Sequence, residues 1–148
     1  DTSVVFNQHI MGKPSSLAEA TYMIKLLRAR THSVVTGVTT IDSQSGKYLS
    51  TSDSTDVTMR SYTDVEISSY IATSNPLDKA GGYAIQDRIF DPAEELHGCY
   101  LNVIGLPICK VISMLNQLGY LTTLKPEWRD HERCLECPLI KPSKVAYQ

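Results

Sequence analysis

The sequence contains no apolar run near the roughly 18 residues that a membrane span requires, so no membrane partner is expected. It has no excess of basic charge. Lys and Arg number 14 against 16 Asp and Glu, a net −2, so no global positive field speaks for a nucleic-acid polymer. Neither Gly-x-Gly-x-x-Gly nor a Walker loop occurs, which sets aside two common phosphate-binding fingerprints. Cysteine is scarce, four in 148 residues, and does not read as a disulfide framework; a reducing cytoplasm is the expected setting. Asp1 to Phe6 reads as a strand already under way rather than as a signal peptide, and the chain is expected to be a piece of a longer protein.

What is present is the composition of a globular domain, 42% apolar and 20% charged, in a length that can bury a real core. Val4-Val5-Phe6, a turn at Asn7-Gln8-His9, and Ile10-Met11 suggest a short hairpin. Ser16 and Glu19 form a capping box that opens a helix to about Arg30, with Leu17, Ala20, Met23, Ile24 and Leu27 on its apolar face. Val34 to Ile41 is β-branched and reads as a central strand, with a loop over Asp42 to Lys47 and a polar return over Tyr48 to Arg60. Thr63 and Glu66 form a second capping box, for a helix carrying Ile67, Tyr70 and Ile71 that stops near Pro76.

After an acidic turn at Asp91 to Glu95, Pro107 opens a last core helix with a stripe of Ile108, Val111, Ile112, Leu115 and Leu118, capped by Gly119. Periodicity stops there. Residues 1–120 read as one domain and 121–148, with three prolines, as a tail. Strands and helices interleave without a strict βαβ beat, which predicts an α/β or mixed α+β fold: a mixed, twisted sheet with flanking helices.

Three segments carry the chemistry. Asp1-Thr2 places a carboxylate on the first strand, Gly12-Lys13-Pro14 holds a lysine between strand and helix, and the loop from Asp78 to Arg88 brings Lys79, Gly81-Gly82, Gln86 and Arg88. The paired glycines suggest close backbone approach to a ligand, with N–H groups turned toward an anion. A carboxylate with two lysines suits phosphoryl or nucleotidyl transfer, the acid holding a metal or taking a proton from water. In the tail, His131, Cys134 and Cys137 have the spacing of metal ligands, three of the four that a structural zinc site needs, with His97, Cys99 or a partner chain as a candidate source of the fourth.

Five strings in order resemble the Maf family of nucleoside triphosphate pyrophosphatases: Asp1-Thr2-x-Val4-Val5; Gly12-Lys13-Pro14; Arg30-Thr31-His32-x-Val34-x-Thr36-Gly37-Val38; Pro76-Leu77-Asp78-Lys79-Ala80-Gly81-Gly82-Tyr83-x-Ile85-Gln86; and Tyr100-x-Asn102-Val103-x-Gly105-Leu106-Pro107. The resemblance implies a two-lobed fold shared with inosine-triphosphate pyrophosphatases, often as a homodimer. It implies hydrolysis of a nucleoside triphosphate to the monophosphate and pyrophosphate with Mg2+ or Mn2+, acting on dTTP, UTP or modified pyrimidine nucleotides. Asp1 matches the family's proton acceptor, beside the catalytic ion; Thr2 and Gln86 match positions that set substrate choice; Lys13 and Lys79 match triphosphate contacts. His32 is expected to fix a loop by hydrogen bonding.

The chain also departs from the family pattern. Asp87 replaces a glycine and would repel anions unless it points away or holds metal, and Cys99 stands where aspartate is usual. The family's opening segment, with its Ser/Arg-rich turn and further lysine, has no counterpart before Asp1. The alternatives are therefore a catalytically impaired nucleotide-binding relative concerned with cell division and septum regulation, or a module tethered through a tail metal.

Overall fold

The computed structural model describes residues 1–73, 76–122 and Cys134. Its frame is a five-stranded sheet in the order β2-β1-β3-β4-β5. Asn7 and Gln8 take positive φ (49° and 67°), the two-residue turn that suits the twist of a hairpin, and join β1 (Thr2–Phe6) to β2 (His9–Met11). The long strands β3 (Thr31–Ile41) and β4 (Tyr48–Met59) pair over their whole length, Thr31 opposite Thr58 through Ile41 opposite Tyr48. The α+β class is as expected from the sequence. All four pairings are antiparallel, however, so among the described residues the sheet is not mixed in direction. The helical link from β2 to β3 spans β1, which lies between them; β2 and β3 therefore run the same way without touching.

Burial follows the period of two that a half-covered sheet demands: His32, Val34 and Thr36 on β3, Thr55, Val57 and Met59 on β4, and Val4 and Phe6 on β1 face inward. Helix α1 (Leu17–Leu27) buries Ala20, Met23, Ile24 and Leu27, while Leu17 stays half exposed. It ends earlier than its basic C-terminal run suggested, because Ala29 turns to φ 55° to enter β3. Its cap also differs by one residue. Ser16 Oγ accepts from Glu19 N, but the Glu19 carboxylate reaches back to Ser15 N at 2.7 Å.

Helix α2 (Asp64–Thr73) has the full reciprocal box: Thr63 N donates to Glu66 Oε2 at 2.7 Å and Glu66 N to Thr63 Oγ1 at 3.2 Å. It packs against α1, and Asp64 bridges both Lys25 and Arg28 of that helix at 2.9 and 2.8 Å.

The acidic stretch expected as a turn is instead edge strand β5 (Ala93–His97), whose exposed Glu94 and Glu95 suit an unpaired edge. The short helix α3 (Tyr100–Val103) lies over β3 and β4. Helix α4 (Ile108–Gln117) forms where Pro107 opens it, but only Met114 is fully buried; the expected stripe is half covered. It is fixed at its start by Lys110, which reaches Asp53 at 2.9 Å and Ser52 O at 2.8 Å. Cys134, assigned to the tail, is 2% exposed within the core cluster. No described helix is long and apolar enough to cross a membrane.

Candidate nucleotide cleft

A cleft of about 390 Å3, within the range of small-molecule sites, opens beside β1 and β3, lined by Thr2, Val4 and Val34 of those strands. Its walls include the five residues that the family resemblance matched to the site: Asp1, Thr2, Lys13, Lys79 and Gln86. Asp1 and Thr2 come from the start of β1, which is held beside β3 by the Gly37 N to Asp1 O bond at 2.9 Å. One oxygen of the Asp1 carboxylate accepts the Thr2 N–H at 2.9 Å, which leaves the other for a ligand, water or ion. Lys13 follows β2 directly, and Lys79 sits between two 3-10 turns, Pro76–Asp78 and Ala80–Gly82.

The two lysines are not independent. Asp78 accepts from Lys13 Nζ at 3.1 Å through one oxygen and from Lys79 Nζ at 3.2 Å through the other. These hydrogen bonds, with the charge of the two ammonium groups, hold the Asp78 carboxyl below its usual range. An exposed pair of this kind adds little stability, but it gathers two cations at one wall of the cleft. Asp78 was not singled out by sequence as a site residue, because its partners stand one and 65 residues away.

The loop that carries Lys79 and Gln86 is anchored from below. His32, 3% exposed, makes a 2.7 Å hydrogen bond from Nε2 to the Tyr83 hydroxyl, the loop-fixing role expected of it. Burial lowers the His32 pKa from 6.5 to about 4, with Asp56 opposing, so the ring is neutral at physiological pH. Burial likewise raises the Tyr83 pKa. The Tyr70 hydroxyl accepts from Ala84 N at 3.1 Å, and the Tyr70 ring stacks on Phe90 at 4.4 Å. These anchors fix the loop at Tyr83 and Ala84, between Lys79 and Gln86.

The glycines serve packing, not an anion. Gly81 N donates to Gly12 O and Gly82 N to Lys79 O, both at 3.0 Å, so neither N–H is turned to the cleft. Both residues are buried at positive φ (70° and 76°); a Cβ on Gly81 would come within 3.2 Å of Val4, and one on Gly82 within 3.4 Å of the Ala20 backbone. The close approach is to β1 and α1. Arg88 is exposed and does not line the cleft. Asp87 also stands outside the lining: its Oδ1 accepts from Ile89 N at 3.0 Å and Phe90 N at 2.8 Å, which closes the turn after Gln86. Cys99 is buried and its N–H donates to Thr55 Oγ1.

Behind Thr2 lies a buried polar network that sequence reading missed. Thr2 Oγ1 and Thr36 Oγ1 are 2.8 Å apart, Thr36 donates to Asn102 O at 3.0 Å, and Asn102 Nδ2 donates to Val34 O and Thr55 Oγ1 at 2.9 and 3.0 Å. Thr36 and Asn102 both lie in family-like strings, but neither carries a charge or a spacing that points to a contact across the 66 residues between them.

The second carboxylate oxygen of Asp1 at the cleft suits a hard divalent ion such as Mg2+ or Mn2+, which Asp1 would hold. Among the described residues no group of three His, Cys, Asp or Glu side chains forms a protein-only metal cage. Of the proposed tail ligands, His131 and Cys137 lie outside the described residues, Cys134 is buried in the core, and the candidate fourth ligand His97 is exposed and pairs with Glu95 at 3.2 Å.

Comparison with known proteins identifies the family. The family model described as Maf-like protein matches residues 1–118. A protein of Dehalococcoides mccartyi (strain CBDB1) named dTTP/UTP pyrophosphatase is 38% identical over 141 residues, which cover 95% of this chain and 63% of that protein. Proteins of the same name from Thermomicrobium roseum and Methanosarcina barkeri are each 42% identical, over 98% and 80% of this chain and 65% and 60% of their own lengths. The chain thus spans somewhat under two thirds of the relatives it matches. With the model covering most of its length, the chain belongs to the Maf family.

Proposed function

We propose that this chain carries the nucleotide cleft of a nucleoside triphosphate pyrophosphatase, a hydrolase that converts dTTP, UTP or a modified pyrimidine analogue to the monophosphate and pyrophosphate. The observation that carries the reading is the convergence of Asp1, Thr2, Lys13, Lys79 and Gln86 on one cleft from segments up to 85 positions apart, Asp1 to Gln86. The names of the relatives support the pyrimidine choice for this chain.

Lys13 and Lys79, gathered by Asp78, hold the triphosphate and offset its charge, most strongly as charge builds on the departing pyrophosphate. The Asp1 carboxylate takes a proton from a water. That water's oxygen bonds to the α phosphorus as the bond from that phosphorus to the bridging oxygen breaks, and the electron pair leaves with pyrophosphate. A bound Mg2+ or Mn2+ would supply further neutralisation of phosphate oxygens near Asp1. Thr2 and Gln86 contact the nucleoside and set its choice. A house-cleaning role in the cytoplasm and a homodimer complete the reading.

The catalytically impaired alternative rests on Asp87 and the altered loop; Asp87 stands outside the cleft lining and closes a turn, so its charge gives that alternative no support. The test is pyrophosphate release from a panel of nucleoside triphosphates with magnesium or manganese, using the intact protein and Asp1→Asn. Release strongest with dTTP or UTP and lowered by about 10²–10⁴-fold in the variant is expected. Nucleotide binding without release by the unmodified protein would return the impaired alternative.

A further inference from the structure

Thr36 is 1% exposed and cannot touch a ligand, yet its single hydroxyl proton decides what Thr2 offers to one. Thr36 Oγ1 lies 3.0 Å from Asn102 O, a separation at which two oxygens attract only with a proton between them. Asn102 has no proton to give from its carbonyl, so the Thr36 proton is committed there. The Asn102 carbonyl cannot turn away. The side chain is fully buried and tied to Val34 O and Thr55 Oγ1, and the same carbonyl accepts Gly105 N at 3.0 Å. The 2.8 Å contact between Thr36 and Thr2 then needs the Thr2 proton. What remains on Thr2 Oγ1 for the cleft is lone pairs.

From this we infer that Thr36 is a positioning residue. It draws the Thr2 hydroxyl proton into the protein, so that Thr2 faces the cleft as an acceptor only and selects a ligand with a hydrogen-bond donor at that point. The lysine pair lies toward the other end of the strand: Val4, two residues from Thr2 on the same face, contacts the Gly81 position and pairs with Met11 just before Lys13. The Thr2 hydroxyl sits instead beside Gly105, within 3.7 Å of where a Cβ there would lie, next to the cleft residues Val103 and Ile104. The donor selected is therefore on the nucleoside and not on phosphate: the ring N3–H of uracil or thymine, or a sugar hydroxyl. Cytosine presents an acceptor at N3 and is disfavoured by the first route. This inference rests on the nucleotide reading above and deepens it.

The experiment is titration of the intact protein with the α,β-methylene analogues of UTP, CTP and 3′-deoxy-UTP, for the unmodified chain, Thr36→Val and Thr36→Ser, with melting temperatures alongside. Valine keeps the shape and removes the hydroxyl, which frees the Thr2 proton to turn into the cleft. The unmodified chain and Thr36→Ser are expected to prefer one donor-bearing ligand by about tenfold or more, with that preference lost in Thr36→Val. Loss of the UTP-over-CTP preference assigns the ring N–H, and loss of the preference for UTP over its 3′-deoxy form assigns the sugar hydroxyl. Equal affinities for all three analogues in the unmodified chain, or preferences unchanged in a folded Thr36→Val, would overturn the inference while leaving the nucleotide reading intact. No binding of any analogue by the unmodified chain would overturn both.

Discussion

Acid should loosen the cleft through one buried ring. His32 is 3% exposed, neutral, and bonded to Tyr83 in the loop between Lys79 and Gln86. Its pKa is 6.5 when unfolded and about 4 when folded, burial being the main cause. Between those values the unfolded chain binds a proton that the folded chain refuses. The His32 contribution is therefore fully present above pH 6.5, falls as pH drops, and is exhausted near pH 4. The difference amounts to about 2 kcal/mol at pH 5 and about 3 kcal/mol at pH 4. Set against a usual stability of about 5–15 kcal/mol, that is a large share. Urea unfolding of the unmodified chain and of His32→Phe across pH 7.5 to 4 isolates the effect, since the carboxylates titrate in both and cancel in the difference. The stability advantage of histidine over phenylalanine should shrink by about 3 kcal/mol over that range. Parallel curves would mean that His32 is hydrated or charged in the fold, and the anchoring of the loop would need another explanation.

Other consequences follow from the same geometry. Asp1→Asn should lower turnover by about 10²–10⁴-fold and leave nucleotide affinity nearly intact, by steady-state kinetics and equilibrium binding; full activity would remove Asp1 from proton transfer. Lys79→Ala should weaken triphosphate affinity by about tenfold or more, and an unchanged affinity would move the phosphate contacts elsewhere in the protein. Gly81→Ala should destabilise by about 1–2 kcal/mol or more, because alanine resists φ 70° and its Cβ would press on Val4 at 3.2 Å. Gly12→Ala, with nothing within 4 Å of the added carbon, is the control that should do far less in thermal melts.

Local rules were legible in the sequence where one residue's neighbours in the chain decide its role. The Thr63–Glu66 box, the apolar face of α1 and the hairpin turn belong to this class, although the turn takes only Asn7 and Gln8 of the expected Asn7-Gln8-His9, His9 opening β2. The Gly81-Gly82 pair shows the limit. Sequence reveals that the backbone must take an unusual conformation or come close to something, but not to what; here the neighbours are Val4 and Ala20. The strand at Ala93–His97 read as a turn because Glu94 and Glu95 break the expected hydrophobic alternation, which an edge strand with an exposed outer side does not need. The least legible features are the pairings across long separations. Asp78 with Lys13, Thr2 with Thr36, and Thr36 with Asn102 exist only because β1, β3, α3 and the two lysine-bearing loops meet. Asp1, Lys13 and Lys79 are suggested by their chemistry in three segments, and the order of five motifs supplies their roles and that of Thr2.

The central claim is that water, activated at Asp1, attacks the α phosphorus of a nucleotide bound in this cleft. Hydrolysis of UTP in 18O-labelled water, with the products weighed by mass spectrometry, tests it most directly. The account predicts one 18O in UMP and none in pyrophosphate. Label in pyrophosphate, or UDP and labelled phosphate as products, would contradict it.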